Sequence, residues 1–188
     1  MKSISVIFIV AKYPATYGHT SVINNLCHGL NELGHKTAIG AFSFDSDPPK
    51  GVEKVILKKN ELLRSGVASL EYDIIHPHQA QVLYYLLFKK PEKPIVFHYH
   101  AASNLIQELN LKSSMKLFKK RISKFISVSK KASHHLEEWA GKCDDVVIYN
   151  GVDTKFFHPG LEQPYRKGSP QLLFVSVLRK YKKTVDLI

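Results

Sequence analysis

The sequence predicts an α/β fold, a parallel sheet with helices on both faces. Apolar runs of strand length alternate with longer segments of helical period over residues 4–149, and the connections between them are short. The first run, Ile4–Ala11 (ISVIFIVA), is β-branched and shows no inside–outside alternation, as in a strand buried on both sides. Strict β–α alternation with short links favours parallel strands joined by covering helices. The 44% of AVILMFWYC residues in 188 suffices for a core and argues against disorder.

The elements follow in order. Ile4–Ala11 comes after a lysine, but it is short, lacks a small-residue cleavage pattern and runs into Lys12-Tyr13-Pro14, so it reads as a strand and not a secretory signal. Val22, Leu26, Leu30 and Leu33 recur at helical steps and stop at Gly34. Lys36–Phe42 is the second strand, Asp45–Gly51 a loop, and Glu53–Leu57 a short strand. Leu63, Val67 and Leu70 mark a helix after Asn60. Next come a strand at 73–76 (DIIH), an apolar helix around Val82–Phe88, and a strand at 94–99 (PIVFHY). A helix from Asn104 to about Lys124 leads into the strand at 125–128 (FISV). Ser129 is placed to cap a helix that runs to Trp139 and ends at Gly141, and 145–149 (DVVIY) is the last strand of the series.

These elements make one domain over residues 1–157. Residues 158–170 hold three prolines and two glycines without periodicity and read as a linker or hinge. Another strand of the buried type, 171–178 (QLLFVSVL), begins a second domain over 171–188, too short to bury a core of its own. Lys plus Arg is 27 against 16 for Asp plus Glu, a net +11 that favours anionic partners. No RNA-reading aromatic motif or helix-turn-helix pattern accompanies it, so nucleic acid is not expected. Cys27 and Cys143 do not make a disulfide scaffold and suit a reducing, cytoplasmic compartment. No apolar run approaches the roughly 18–20 residues of a membrane span.

Four segments carry candidate chemistry. In an open parallel sheet, ligands bind beyond the carboxyl ends of the strands. The loop there after the first strand contains Gly18, which permits close backbone approach to a phosphate at the start of the following helix, although GxGxxG is absent. His76-Pro77-His78 and His98-Tyr99-His100 each close a strand and, by alternation, aim two imidazoles to one side. Such pairs can bind a metal, but no carboxylate cluster accompanies them and Pro77 interrupts the first. A single catalytic or phosphate-contacting histidine in the second pair is preferred, and no metal is expected. Histidines satisfied by hydrogen bonds at strand ends are the plain alternative. Leu111, Met115, Phe118, Ile122 and Phe125 form one helical stripe flanked by Lys112, Lys116, Lys119, Lys120, Arg121 and Lys124. The stripe suits packing on the sheet, and the cations of 111–125 suit peripheral contact with an anionic membrane. Asn150-Gly151, within 147–159, signals a turn and no activity by itself.

Taken together these segments resemble retaining glycosyltransferases of family 4, whose GT-B fold has two facing Rossmann-like domains. The matching stretches are Tyr17-Gly18-His19-Thr20 through Leu33-Gly34-His35, then Tyr72–His78, then Ile126–Ser129 with Val147–Pro159 (VIYNGVDTKFFHP), and finally Phe174–Lys183. The resemblance implies an N-terminal, acceptor-side half of an enzyme of hexosyltransferase type, moving a sugar from a nucleotide-diphosphate donor to an unknown sugar or lipid-linked acceptor. No cofactor is implied. Carried over by position, Gly18 would offer its backbone to the donor, His100 would be the catalytic histidine near the reacting sugar, and Arg179 and Lys182 would hold the diphosphate. Tyr17, His19, His78 and His98 would face the acceptor.

The departures from the family pattern bear on these roles. Tyr17 replaces a glycine, and Thr20 stands where an acidic residue is common. Arg179 lies two places after the usual arginine, and Ser176 and Lys183 replace glycines. The family's paired glutamates have no counterpart before Ile188, so the chain is expected to be inactive alone. A non-catalytic docking module of a split enzyme and a metal-dependent hydrolase using the His-x-His pairs remain alternatives.

Overall fold

A computed structural model describes residues 2–15, 18–102 and 104–158. The chain divides into two compact units, Met1–Gly151 and Val152–Ile188. In the first, β1 (Ser5–Tyr13), α1 (His19–Glu32), β2 (Lys36–Phe44), β3 (Glu53–Ile56) and α2 (Lys59–Ser65) are followed by β4 (Ile74–Pro77) and a one-turn α3 (Leu83–Leu86). Then come β5 (Val96–Tyr99), α4 (Leu105–Phe118), β6 (Lys124–Ser127), α5 (Lys130–Ala140) and β7 (Asp145–Val147). The expected strand at 171–178 and the hinge beyond His158 lie outside the described residues. Within the second unit, the Asp153 carboxylate accepts the Lys155 and Phe156 N–H groups at 2.9 and 3.1 Å, closing a turn.

Among the described residues, every strand pairing is parallel. One sheet runs β3-β2-β1-β4 and a second β5-β6-β7, joined by a single bridge between Ile75 and Ile95. The chain leaves β1 toward β2 and β3, then crosses back to β4, so the order reverses beside β1. Ligands of open α/β sheets bind at the carboxyl ends of the strands at such a reversal.

β1 is buried on both faces, as its composition predicts. Ile7 and Ile9 enter one core with Leu62, Leu83, Leu86, Leu111 and Leu136, while Val6, Phe8 and Val10 enter another with Ile23 and Cys27 of α1. Fully burying each such aliphatic or aromatic side chain contributes about 1.5–3 kcal/mol. Ser129 caps α5 as expected, its Oγ accepting the Ala132 N–H at 3.1 Å, an interaction worth about 1 kcal/mol. Gly141, at φ 69°, ends the helix in the left-handed region that favours glycine.

Three elements differ from expectation. Of the residues marking the helix after Asn60, only Leu63 lies in α2, which stops at Ser65; Val67 falls in a 3-10 turn, Gly66–Ser69, and Leu70 follows it. The helix around Val82–Phe88 shrinks to one turn after a 3-10 turn at Ala80–Val82, because this short link spends its apolar residues filling the core: Val82, Leu83, Leu86 and Leu87 are all fully buried. The helix from Asn104 stops at Phe118 and passes through a 3-10 turn, Lys119–Arg121. The predicted stripe is buried, but only Leu111, Met115 and Phe118 lie on the helix; Ile122 follows the 3-10 turn and Phe125 belongs to β6. The stripe's flanking cations are not all simply solvated, since Lys119 donates to the carbonyls of Ala140, Gly141 and Lys142, and Arg121 donates to those of Leu87 and Phe88.

Candidate active site

Three strand ends and one helix start meet at the reversal point. β1 leads into the loop before Gly18, which begins α1 with φ 83°. In that left-handed conformation a side chain costs roughly 1–2 kcal/mol, which accounts for the glycine. Among the described residues no side chain caps the helix start and its first turn holds no acidic residue, an electrostatic setting that suits an anion. His19 follows at once, and its ring centroid lies 4.4 Å from that of His100, beyond β5. Gly18 and His100 therefore share one rim.

Period-two alternation stacks the two His-x-His pairs as predicted, with centroids 4.8 Å apart for His76–His78 and 4.6 Å for His98–His100. The sequence did not reveal that the pairs stand side by side. His78 lies 4.8 Å from His98 and 5.0 Å from His100, and His78 Nδ1 is 2.8 Å from His100 Nε2. The protein's own groups do not satisfy these histidines: Nε2 of His76, Nε2 of His78 and both nitrogens of His98 are buried without a hydrogen-bond partner among the described residues. His98 is buried and does not line the cleft, whereas His19, His78 and His100 border it.

Burial sets the protonation state. It holds the imidazoles of His19, His76, His78, His98 and His100 below their ordinary value, with neighbouring histidines adding to the effect at all but His19; His98 is lowered to about 4. All five are neutral at pH 7. In the tautomer in which His78 Nδ1–H donates to His100 Nε2, His100 keeps an Nδ1–H for a ligand oxygen and Nε2 of His78 is a lone pair; the opposite tautomer reverses both.

Amide groups escaped the sequence reading. Gln79 accepts the Ala11 N–H at 2.8 Å and reaches His19 Nδ1 at 3.5 Å, tying the end of β1 to the start of α1. Gln79, Gln81, Gln107 and Asn110 border the cleft with the histidines. An amide directly after His76-Pro77-His78 was the available signal. Tyr99, its hydroxyl pushed up to about 12 by burial, bonds to His135 and accepts the Ala102 N–H at 2.9 Å; His135 in turn meets Glu108 at 3.6 Å. This chain anchors the turn carrying His100, where Ala101 is held at φ 71°. The cleft measures about 100 Å³, below the roughly 300 Å³ at which small-molecule sites begin. Tyr17, Arg179 and Lys182 lie outside the described residues.

A family model described as Glycosyltransferase Family 4 matches residues 17–156. The chain belongs to glycosyltransferase family 4. No curated protein matches it. Among solved structures it is similar to HepE of Anabaena, determined in complex with UDP-glucose (TM-score 0.62, 15% identity, 83% of this chain and 47% of that one). The same protein with UDP and glucose gives a TM-score of 0.63 at 15% identity and the same coverage. Sucrose-phosphate synthase of Thermosynechococcus elongatus gives a TM-score of 0.60 at 13% identity, over 83% of this chain and 50% of that one. At these identities the likeness shows the fold alone, the Rossmann-like half of a GT-B fold. This family 4 chain spans about half the length of the structures it matches.

Proposed function

We propose that the chain is the acceptor-side half of a retaining glycosyltransferase that moves a sugar from a nucleoside-diphosphate donor to an acceptor at this rim. The observation that carries the reading is the meeting of the open N-terminus of α1 with His100 through His19, 4.4 Å ring to ring. Uncapped N–H groups and the helix pole suit a diphosphate, and the neutral His100 offers an N–H to an oxygen of the transferred sugar. HepE is described with UDP-glucose, so UDP-hexose is the donor class to test first. By family resemblance, Gly18 approaches the donor, while Arg179 and Lys182 hold its diphosphate from the opposite wall. His19 and His78, with Tyr17, face the acceptor. Residues 1–157 form the acceptor domain, 158–170 the hinge and 171–188 the opening of the donor domain. The reaction as read needs no cofactor, and the chain alone does not turn over.

The experiment joins residues 1–157 to the donor-side half of HepE and follows UDP-glucose consumption, with intact HepE as control. Turnover by the chimaera and none by the 188-residue chain is expected. A folded chimaera that leaves UDP-glucose untouched beside an active control would overturn the reading.

A lipid-linked acceptor at an anionic surface is favoured by the outer face of α4, which exposes Leu105, Ile106, Leu109 and Leu117 among the exposed Lys112, Lys116 and Lys120. No described helix is long and apolar enough to cross a membrane, so the contact is peripheral. Co-sedimentation of the chain with phosphatidylglycerol vesicles, lost on Leu109→Glu with Leu117→Glu, is the expected result. Equal sedimentation with phosphatidylcholine vesicles, or none with either, would remove this part of the reading.

A further inference from the structure

The seam between β4 and β5 holds more bare nitrogen than the surrounding protein satisfies. Past the Ile75–Ile95 bridge the two strands form no ladder pairs among the described residues, and imidazoles occupy the seam. Four ring nitrogens there, on His76, His78 and His98, are buried and unpartnered. Each such group costs about 1–3 kcal/mol when left unmet, so their concentration in one place points to a ligand.

The geometry selects the ligand class. One nitrogen from each of the three residues lies within 4.8 Å of the others, and the ring centroids are 4.8, 4.8 and 5.4 Å apart. An imidazole bound at 2.0–2.1 Å places its centroid about 3.2 Å from the ion, so two tetrahedral neighbours sit about 5 Å apart. The observed separations bracket that value; the His76 ring is stacked on those of His78 and His98, with interplanar angles of 29° and 20°, so the side chains must rotate to turn their nitrogens onto one ion. His78 already has the outer partner of a ligating histidine. Its Nδ1 bonds to His100 Nε2 at 2.8 Å, fixing the ring while Nε2, across the ring, stays bare.

We propose that His76, His78 and His98 bind one divalent transition ion of the zinc or cobalt class, which staples β4 to β5 where the backbone ladder lapses. Three neutral imidazoles without a carboxylate suit such ions and do not suit magnesium or calcium, which require oxygen. A three-histidine set leaves the fourth position to water. Each imidazole replaces a water on the ion and releases no proton, because all three rings are neutral. His78, at the cleft border, marks the entry path. The role is structural, and it shares His78, which borders the cleft, with the sugar-transfer reading.

The test uses the 188-residue chain, stripped with EDTA and then titrated with Co2+ or Zn2+ alone. After desalting, one ion per chain is expected, with the visible absorption of tetrahedral cobalt and a zinc absorption-edge spectrum dominated by imidazole nitrogen at 2.0–2.1 Å. His76→Gln and His98→Gln should each weaken binding about tenfold or more, while the exposed His134→Gln leaves it unchanged. Substoichiometric metal in the unaltered chain, an oxygen-dominated shell, or equal binding by the His76→Gln/His98→Gln double variant would overturn the proposal. If the variants do not fold, stoichiometry and ligand shell in the unaltered chain decide it.

Discussion

Acidifying the EDTA-treated chain from pH 7.5 to 4.5 is expected to remove most of its folding stability, with the loss beginning near pH 6.5. The unfolded chain carries ordinary histidines that take up protons near 6.5. In the fold, burial lowers the imidazoles of His76 to about 3, His98 to about 4 and His100 to about 2, and holds His78 and His19 below their ordinary value. A lowered folded value means that, between it and 6.5, the unfolded chain binds more protons than the folded one. Stability is therefore complete above pH 6.5 and falls as pH drops toward the folded values.

Each histidine contributes at most about 1.4 kcal/mol per pH unit in that window. Several acting together over two units reach the order of 5–10 kcal/mol, comparable with the whole stability of a typical domain, about 5–15 kcal/mol. The groups that act on these imidazoles electrostatically are one another, so no carboxylate offsets the loss. Asp73, whose carboxyl is held low by the Ser5 N–H and hydroxyl, acts in the same sense but only at lower pH, since its ordinary value is 3.8. Urea titrations at pH 7.5, 6.5, 5.5 and 4.5 read the effect as a falling midpoint. A midpoint unchanged between 6.5 and 4.5 would show that the cluster is hydrated and not buried.

That cluster also marks where local sequence stops being informative. The β-branched run of β1, the Ser129 cap and the 111–125 stripe are legible because strand burial, capping and helical period are written in neighbouring residues. The alternation that pairs His76 with His78, and His98 with His100, is equally local. What brings the two pairs together is the seam between β4 and β5, a juxtaposition of segments 22 residues apart that no periodicity encodes. His19 joins from α1, at a sequence distance of 60 from Gln79, which touches it. The one-turn α3 hides for another reason: its apolar run is the same whether it forms a long helix or a short core plug. On α4 the buried stripe masked a second apolar face, because Leu105, Ile106, Leu109 and Leu117 fall between the lysines.

The other large effect concerns the rim itself. His100→Ala in the chimaera with the HepE donor half is expected to lower kcat for UDP-glucose consumption by about 10²–10³, the usual cost of removing one preorganised donor from a developing charge. On the proposed reading the imidazole, its pKa held low by burial, would act by holding an N–H toward the sugar and not by supplying a proton. His100→Asn keeps an N–H donor of shorter reach and should recover part of the loss, whereas a merely packing role would treat the two variants alike. Their kcat and KM separate the cases: loss confined to kcat places the contact in the transition state, while loss confined to KM places it in ground-state binding. Gln79 gives an internal comparison. Its side chain fixes the end of β1 and the start of α1 through Ala11 and His19, so Gln79→Leu should reduce activity by displacing the helix start, and Gln79→Glu should retain the bond to the Ala11 N–H. Full activity in a well-folded His100→Ala chimaera would detach His100 from the chemistry and leave α1 as the rim's one contribution.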